Sequence, residues 1–280
     1  MISSANISPL VSVIIPAFNQ SMYVSEAINS ALEQTYKNIE IIIIDDGSTD
    51  ETPHILEKYC NYGNIVLLAH PEHQNRGVSK SRQLGVQQAQ GKYIAFLDAD
   101  DFFEPQKVEI QVALLEAHID AVLCHSHIKL VAECDDTPDI EKWFFKGSET
   151  KKYHLLSQSD CLKRNVICNS TTVARAAVLR KLNFDFKQAF QYEDWLLWLL
   201  LSEHGHFIYT PEKLLNYRFH PKSVTQKVHK NELLKNYSKI EFYLSLIHRT
   251  RRPRIKLLCF KEMFFTMRRL YRLYSIGNQQ

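Results

Sequence analysis

"YIAFLDADDFFEP", residues 93–105, drives an apolar run straight into three carboxylates, Asp98, Asp100 and Asp101. A strand buried on both faces reads as a continuous apolar run, whereas a half-exposed strand alternates with polar residues. Three acids in four positions repel one another, so they belong where the strand leaves the core. Residues 93–98 therefore predict a buried strand whose carboxyl end opens on an acidic mouth. Such a mouth invites a positive charge.

Working outward, "VSVIIP" (11–16), "IEIIIIDD" (39–46), "IVLLAH" (65–70) and "DAVLCHSHIKL" (120–130) have the same buried-strand character. Helical stretches separate them. "SMYVSEAINSALEQ" (21–34) puts Val24, Ile28, Ala31 and Leu32 on one face, with Ser21 as the expected N-cap. "STDETPHILEKY" (48–59) has Asp50 as expected cap and Pro53 in its first turn. "GVSKSRQLGVQQAQG" (77–91) is bounded by glycines, and "PQKVEIQVALLEA" (105–117) is a further helix. This alternation predicts an α/β protein with a mostly parallel central sheet flanked by helices. Ligands of open α/β sheets bind beyond the carboxyl ends of the strands. The polar residues gather there: Asn19, Asp45, Asp46, His70 with "EHQNRG", then Asp98, Asp100 and Asp101.

Beyond residue 130 the pattern loosens. Residues 134–154 read as a polar excursion, and 157–185 as helix, strand, helix. "QYEDWLLWLLLSEHG" (191–205) is a buried helix opened by Glu193 and Asp194. "HFIYTPEKLLNYRFHPKSVT" (206–225) reads as two short strands around Pro211, and the remainder is helical and basic.

Composition bounds the rest. The 280 residues are 45% hydrophobic and 23% charged, which suits one large or two modest globular domains. The six cysteines form no Cys-x-x-Cys and no zinc-finger spacing, so reduced thiols in a cytoplasmic protein are expected. The first residues lack the basic start and long apolar core of a secretory signal. No run of about 18 apolar residues predicts a transmembrane helix. The net charge of +3 is unevenly spread: residues 230–280 hold 12 Lys/Arg against 3 Asp/Glu. That asymmetry calls for a partner.

Four acidic or basic stretches carry chemistry. Asp98-Ala99-Asp100 supplies hard oxygen ligands suited to Mg²⁺ or Mn²⁺ with phosphate; the alternative is a polar strand end with Asp101 starting the next helix. Asp45 and Asp46 end a strand, where an acid accepts hydrogen bonds from a base or ribose or simply caps a helix. Glu193 and Asp194 either complement the helix dipole or supply a general base facing a hydroxyl. "YRFHPKSVT" gathers Arg218, His220, Lys222, Ser223 and Thr225, groups that bind phosphate, with His220 also able to ligate a metal. No Gly-x-Gly-x-x-Gly and no Gly-x-x-x-x-Gly-Lys-Ser/Thr is present, which disfavours dinucleotide and P-loop nucleotide binding.

Taken in order, "VSVIIPAFNQSMYVSEAINSALEQTYKNIEIIIIDDGSTDET", "NRGVSKSRQLGVQQAQGKYIAFLDADD", "YEDWLLWLLL" and "YRFHPKSVT" resemble a family 2 glycosyltransferase of the bacterial surface-polysaccharide type, over about residues 10–225. The resemblance implies the GT-A fold with a Rossmann-like nucleotide-binding half. It implies a nucleotide-sugar donor, with UDP the expected carrier, and a divalent cation, Mn²⁺ or Mg²⁺. The nucleobase would lie against Pro16, Ala17, Phe18, Asn19 and Asp46, with Phe18 standing where the family often has Tyr. Arg76, Gly77, Ser79 and Arg82 would border the donor. Asp98 and Ala99 would lie near the ribose, Asp100 would ligate the metal, and His220 would approach the metal or diphosphate with Arg218 and Lys222 assisting. Asp194 would be the base, preceded by Glu193. The implied reaction is an inverting displacement onto a hydroxyl of a saccharide or lipid-linked acceptor.

The implied division is residues 1–104 for the donor, 105–228 for acceptor and catalysis, and 229–280 as a basic helical extension. Within the extension Leu257, Phe260, Phe264, Met267, Tyr271 and Tyr274 share one helical stripe. That stripe either lies on an anionic membrane, placing the protein peripherally on the inner face, or packs on the body or a partner subunit. Oligomeric state stays open. The rival activities are a sugar-phosphate nucleotidyltransferase, lacking its Gly-rich loop here, and a non-catalytic nucleotide-binding relative. Nucleic acid is not an expected partner, since only the charge asymmetry favours it.

Overall fold

A computed structural model describes residues 8–134, 137, 140, 154–156, 165–182, 192–223 and 232–277. The strands are β1 (Val11–Ala17), β2 (Ile39–Asp45), β3 (Ile65–Ala69), β4 (Tyr93–Phe96), β5 (Phe102–Phe103), β6 (Ala121–Ala132), β7 (His154–Leu156), β8 (Thr172–Arg175) and β9 (His206–Phe219). The α-helices are α1 (Val24–Leu32), α2 (Thr52–Glu57), α3 (Val78–Gln88), α4 (Lys107–Ala117), α5 (Ala176–Leu179), α6 (Glu193–Leu201), α7 (Glu232–Arg249) and α8 (Pro253–Gly277).

One sheet runs in the order β3-β2-β1-β4-β8-β6-β9-β5, with β7 added on β9. Its first four strands are parallel, as the unbroken apolar runs require. β8 then enters antiparallel to both β4 and β6, so the sheet is mixed. Each face carries a core. On one side Ile14, Ile44 and Phe96 pack with residues of α3, α6 and the α7–α8 pair. On the other, Val13, Ile43 and Ala95 pack under α1, α2 and α4.

Several local expectations change. Residues 206–219 form one long strand instead of two, parallel to β6 along most of its length. The register slips near Ser126 and His127, opposite the Thr210–Lys213 stretch that holds Pro211. Proline lacks the ladder donor, and a bulge absorbs it without ending the strand. Ser21 does not cap α1, which begins at Val24; its backbone N–H instead donates to Asp50 Oδ2 at 3.2 Å. Asp50 lies one residue outside the cap position of α2 and accepts from Thr52 N at 2.9 Å. Asp101 does not start a helix: β5 intervenes, and its buried carboxylate accepts from Arg218 N at 2.9 Å. The helix expected within 157–164 and most of the 134–154 excursion lie outside the described residues, as do Cys161 and Thr225. Of the described cysteines, Cys60, Cys124, Cys134, Cys168 and Cys259 are free thiols.

The C-terminal pair resolves half of an open choice. Ile255 and Cys259 of α8 are buried, joining Phe242, Tyr243 and Leu246 of α7 on the sheet-side core, and Thr266 of α8 is buried as well. The predicted apolar stripe is the opposite face: Leu257, Phe260, Phe264, Met267 and Tyr271 are all exposed. No helix among the described residues is long and apolar enough to cross a membrane.

Candidate active site

The site is assembled at the carboxyl ends of β1, β2 and β4, where each chain must leave the sheet. After β1, Asn19 adopts φ 52° and its Oδ1 accepts from Thr49 N at 2.7 Å. Asparagine tolerates this left-handed conformation, and here its amide stitches the β1 loop to the turn after β2. Pro16 and Ala17 are buried in β1, while Phe18 stands 43% exposed at the rim. Its ring face is thus available beside the β2 turn.

After β2, the two aspartates serve the scaffold. Asp45 Oδ1 accepts from Ser48 N at 3.0 Å, closing the turn through Gly47. Asp46 is buried and accepts from Arg76 N at 2.7 Å and Gly77 N at 2.9 Å, one bond per oxygen. His70 comes within 3.5 Å of Asp46 and within hydrogen-bond distance, 3.0 Å, of Ser81 Oγ. Burial keeps the His70 imidazole below its ordinary pKa, against the pull of Asp46. Asp46 therefore shapes the 70–77 loop that leads into α3, holding Gly77 at its start with Ser79 half-buried in the first turn.

Gly85 lets α3 lie close to the sheet; a Cβ there would sit 2.5 Å from Ile14 Cγ2. One turn nearer the mouth, Arg82 is buried and bridges two elements. Its Nη2 donates to Asp98 Oδ1 at 2.7 Å and its Nη1 to Glu193 Oε1 at 3.2 Å. Asn169, turned oxygen inward, accepts from Arg82 Nε and Nη2 at 3.3 Å. Burial opposes the guanidinium charge, but Asp98 and Glu193 more than restore it and raise its pKa. Ser170 Oγ accepts from Asp98 N at 3.0 Å, so the 169–171 turn frames the end of β4.

Glu193 and Asp194 open α6 side by side and differ in environment. Glu193 is pushed upward by burial and pulled back by Arg82. Asp194 accepts from Asn165 Nδ2 at 3.0 Å and from Trp195 N at 2.6 Å. Burial, then the neighbouring Glu193 charge, push its carboxyl up to about 7. Trp195 stacks on Phe242 of α7 with centroids 4.1 Å apart, which fixes the helix start.

Across the mouth, Asp100 Oδ2 lies 3.2 Å from Nε2 of buried His220. Together they offer a carboxylate oxygen and an imidazole nitrogen, a donor pair that fits Mn²⁺ or Mg²⁺ when phosphate and water complete the shell. No third Asp, Glu, His or Cys joins them among the described residues. Ala99 is buried between Asp98 and Asp100, so the two carboxylates diverge to different partners.

Arg218 is turned to another task than the phosphate contact its motif suggests. Its Nε donates to the Asp100 carbonyl oxygen at 2.9 Å, and its other nitrogens pair with Glu133 and Glu26. The guanidinium also lies over the Tyr23 ring at 4.7 Å. Tyr23 donates to Glu133 at 2.7 Å and packs on His220; burial and then Glu133 push its phenol up to about 12. Arg218 thus buttresses the backbone of Asp100. Lys222 is exposed on the loop after β9. Tyr23, Glu26, Glu133, Asn165, Asn169 and Ser170 carried no local signal in the sequence, because each acts through a partner far along the chain.

Two solved structures with this architecture hold nucleotide sugars. The chain aligns with residues 1–349 of TarS from S. aureus in complex with UDP-GlcNAc at TM-score 0.68 and 19% identity, covering 87% of this chain and 68% of that one. It aligns with the mannosyltransferase PcManGT of Pyrobaculum calidifontis, in complex with GDP-Man and Mn2+, at TM-score 0.65 and 15% identity, covering 95% and 70%. The fold is the GT-A fold of glycosyltransferases. An uncharacterized glycosyltransferase of Haemophilus influenzae is 35% identical over 250 residues, 85% of this chain and 76% of that protein. The model of glycosyl transferase family 2 matches residues 12–182, and the chain belongs to that family.

Proposed function

We propose that the chain transfers a sugar, with inversion, from a nucleoside-diphosphate sugar to a hydroxyl of a saccharide or lipid-linked acceptor in cell-surface polysaccharide or lipopolysaccharide synthesis. The observation that carries this reading is the pair of unequal carboxyls at the start of α6. Arg82 claims Glu193, while Asp194 is left with an amide partner and a carboxyl near 7. A carboxylate of that basicity is a far better proton acceptor at neutral pH than an ordinary aspartate.

In this reading Asp194 takes the proton of the acceptor hydroxyl as its oxygen bonds to the anomeric carbon. The bond from that carbon to the diphosphate oxygen breaks on the opposite face. Exposed Phe18 stacks on the base, with Pro16, Ala17 and Asn19 forming its wall. Asp46 acts by holding the Arg76–Gly77 loop, so Gly77 and Ser79 border the donor. Asp98 meets the ribose side while Arg82 fixes its orientation. Asp100 and His220 hold the divalent cation, which when bound neutralises charge on the diphosphate. Exposed Lys222 adds a positive charge at the rim. UDP is the expected carrier, in keeping with the UDP-GlcNAc complex of the structural relative. Residues 1–104 form the donor half, 105–228 the acceptor and catalytic half, and 229–280 the extension.

The test is a thermal-shift screen of nucleoside diphosphates with and without Mn²⁺, followed by nucleotide-release assays with the matching sugars. A metal-dependent shift for UDP is expected, and Asp194→Asn keeps that shift while losing transfer. Near wild-type transfer by Asp194→Asn removes Asp194 from the base role.

A further inference from the structure

The face of α8 turned away from the core is both apolar and rimmed by cations. Leu257 is 72% exposed, Phe260 51%, Phe264 58% and Met267 53%. At 3.6 residues per turn these four lie within a quarter of the helix circumference. Lys261 and Arg268, both exposed, fall along one edge of the stripe, and Arg268 extends over the Phe264 ring at 5.9 Å. Arg254 continues that edge toward the helix start. From 253 to 277 the helix has six Lys/Arg and a single acid, Glu262. Glu262 is set on the far side of the cationic edge, away from the stripe.

The packing demand of the fold does not account for this stripe. Ile255, Cys259 and Thr266 already seat the helix through its opposite face. A soluble surface helix has no cause to present aromatic and sulfur-bearing side chains in register on its outer face.

We infer that α8 lies on an anionic lipid bilayer, with Leu257, Phe260, Phe264 and Met267 entering the headgroup–acyl boundary and Lys261, Arg268 and Arg254 meeting lipid phosphates. Charge decides the occupant. A second copy packed on this face would set cationic edges near one another with one carboxylate per helix to offset them. An anionic bilayer satisfies the apolar stripe and the cations at once. The helix is too polar to span, so it lies in the plane of the interface. The inference does not rest on the sugar-transfer reading, and its test contains no transfer step.

The full-length chain is co-sedimented with vesicles of phosphatidylcholine alone and of phosphatidylcholine with 30% phosphatidylglycerol. Binding at least tenfold stronger to the anionic vesicles is expected, falling as salt is raised. Phe260→Ser with Phe264→Ser, and separately Lys261→Glu with Arg268→Glu, change exposed positions only. Each pair is expected to lower binding at least tenfold while the thermal midpoint stays put. Sedimentation equal for both vesicle types, or unchanged in both double variants, overturns the inference. So does a concentration-dependent dimer of the wild type that both double variants abolish, because the stripe is then a self-interface.

Discussion

Asp194→Asn is the substitution whose stability consequence can be worked out from the structure. Burial and the Glu193 charge raise the folded-state carboxyl from the ordinary 3.8 to about 7. Between those values the folded chain keeps a proton that the unfolded chain has released. The folded pKa is raised, so the stabilisation is fully present below about pH 4 and is lost as pH rises through 7. The interval corresponds to about 4 kcal/mol lost from the wild type by pH 8. Asparagine cannot ionise and escapes that loss. It brings its own cost: one oxygen can still accept from Trp195 N, but its amide nitrogen then faces the Asn165 amide nitrogen. Asn165 cannot simply turn over, since its oxygen accepts from Ile167 N at 3.3 Å. One ill-matched buried contact costs about 1–3 kcal/mol. The variant is therefore expected to be less stable than wild type at pH 4 and more stable at pH 8 by about 1–3 kcal/mol. Urea denaturation at pH 4, 5, 6, 7 and 8 measures this, with unchanged m-values confirming a common unfolded state. Parallel stability curves for the two proteins across pH 5–8 would refute the reasoning, because Asp194 would then titrate as an ordinary aspartate.

Three further substitutions probe the rest of the site. Arg82→Met strands Asp98 and Glu193 without their counter-charge and is expected to cost about 3–5 kcal/mol in urea denaturation at pH 8. The deficit shrinks as pH falls and Glu193, whose carboxyl burial already pushes upward, takes up a proton; a pH-independent loss under about 1 kcal/mol argues against the bridge. Gly47→Ala places a side chain at φ 76° with its Cβ 2.3 Å from the His73 carbonyl oxygen. The backbone strain alone is expected to cost about 1–3 kcal/mol, and a thermal midpoint equal to wild type contradicts the turn geometry. His220→Ala is expected to weaken Mn²⁺-dependent UDP binding at least tenfold in calorimetry while leaving metal-free UDP binding unchanged; equal Mn²⁺ dependence removes His220 from the metal.

Much of the fold was legible because it is written in short-range patterns. β1, β2, β3 and β4 announce themselves as apolar runs, and acids or amides follow each where solvent begins. Long-range events were not legible in this way. The bulge that carries β9 past Pro211 depends on β6 beside it, and the antiparallel entry of β8 leaves no trace in its own four residues. Ser21 and Asp50 fit local capping rules, yet they were drawn into a contact with each other across the loop.

The sequence by itself determined an α/β domain with Asp46, Asp98, Asp100, Asp194 and His220 in an order that marks a family 2 glycosyltransferase. Periodicity and composition, which adjoining residues carry between them, set the α/β class, and the family followed from the resemblance of the ordered motifs. Only the tertiary structure decided how those groups are employed. Arg82 reaches Glu193 across 111 positions, and Arg218 reaches Glu26 across 192. Asp46 and Asp101 are taken up by backbone donors, whereas Asp100 keeps an oxygen toward His220. On α8, two faces have apolar residues, and the packing of the α7–α8 pair selected which one the body covers. Charge partners and covered faces are set by which elements meet, and helix and strand periodicities carry no information about that meeting.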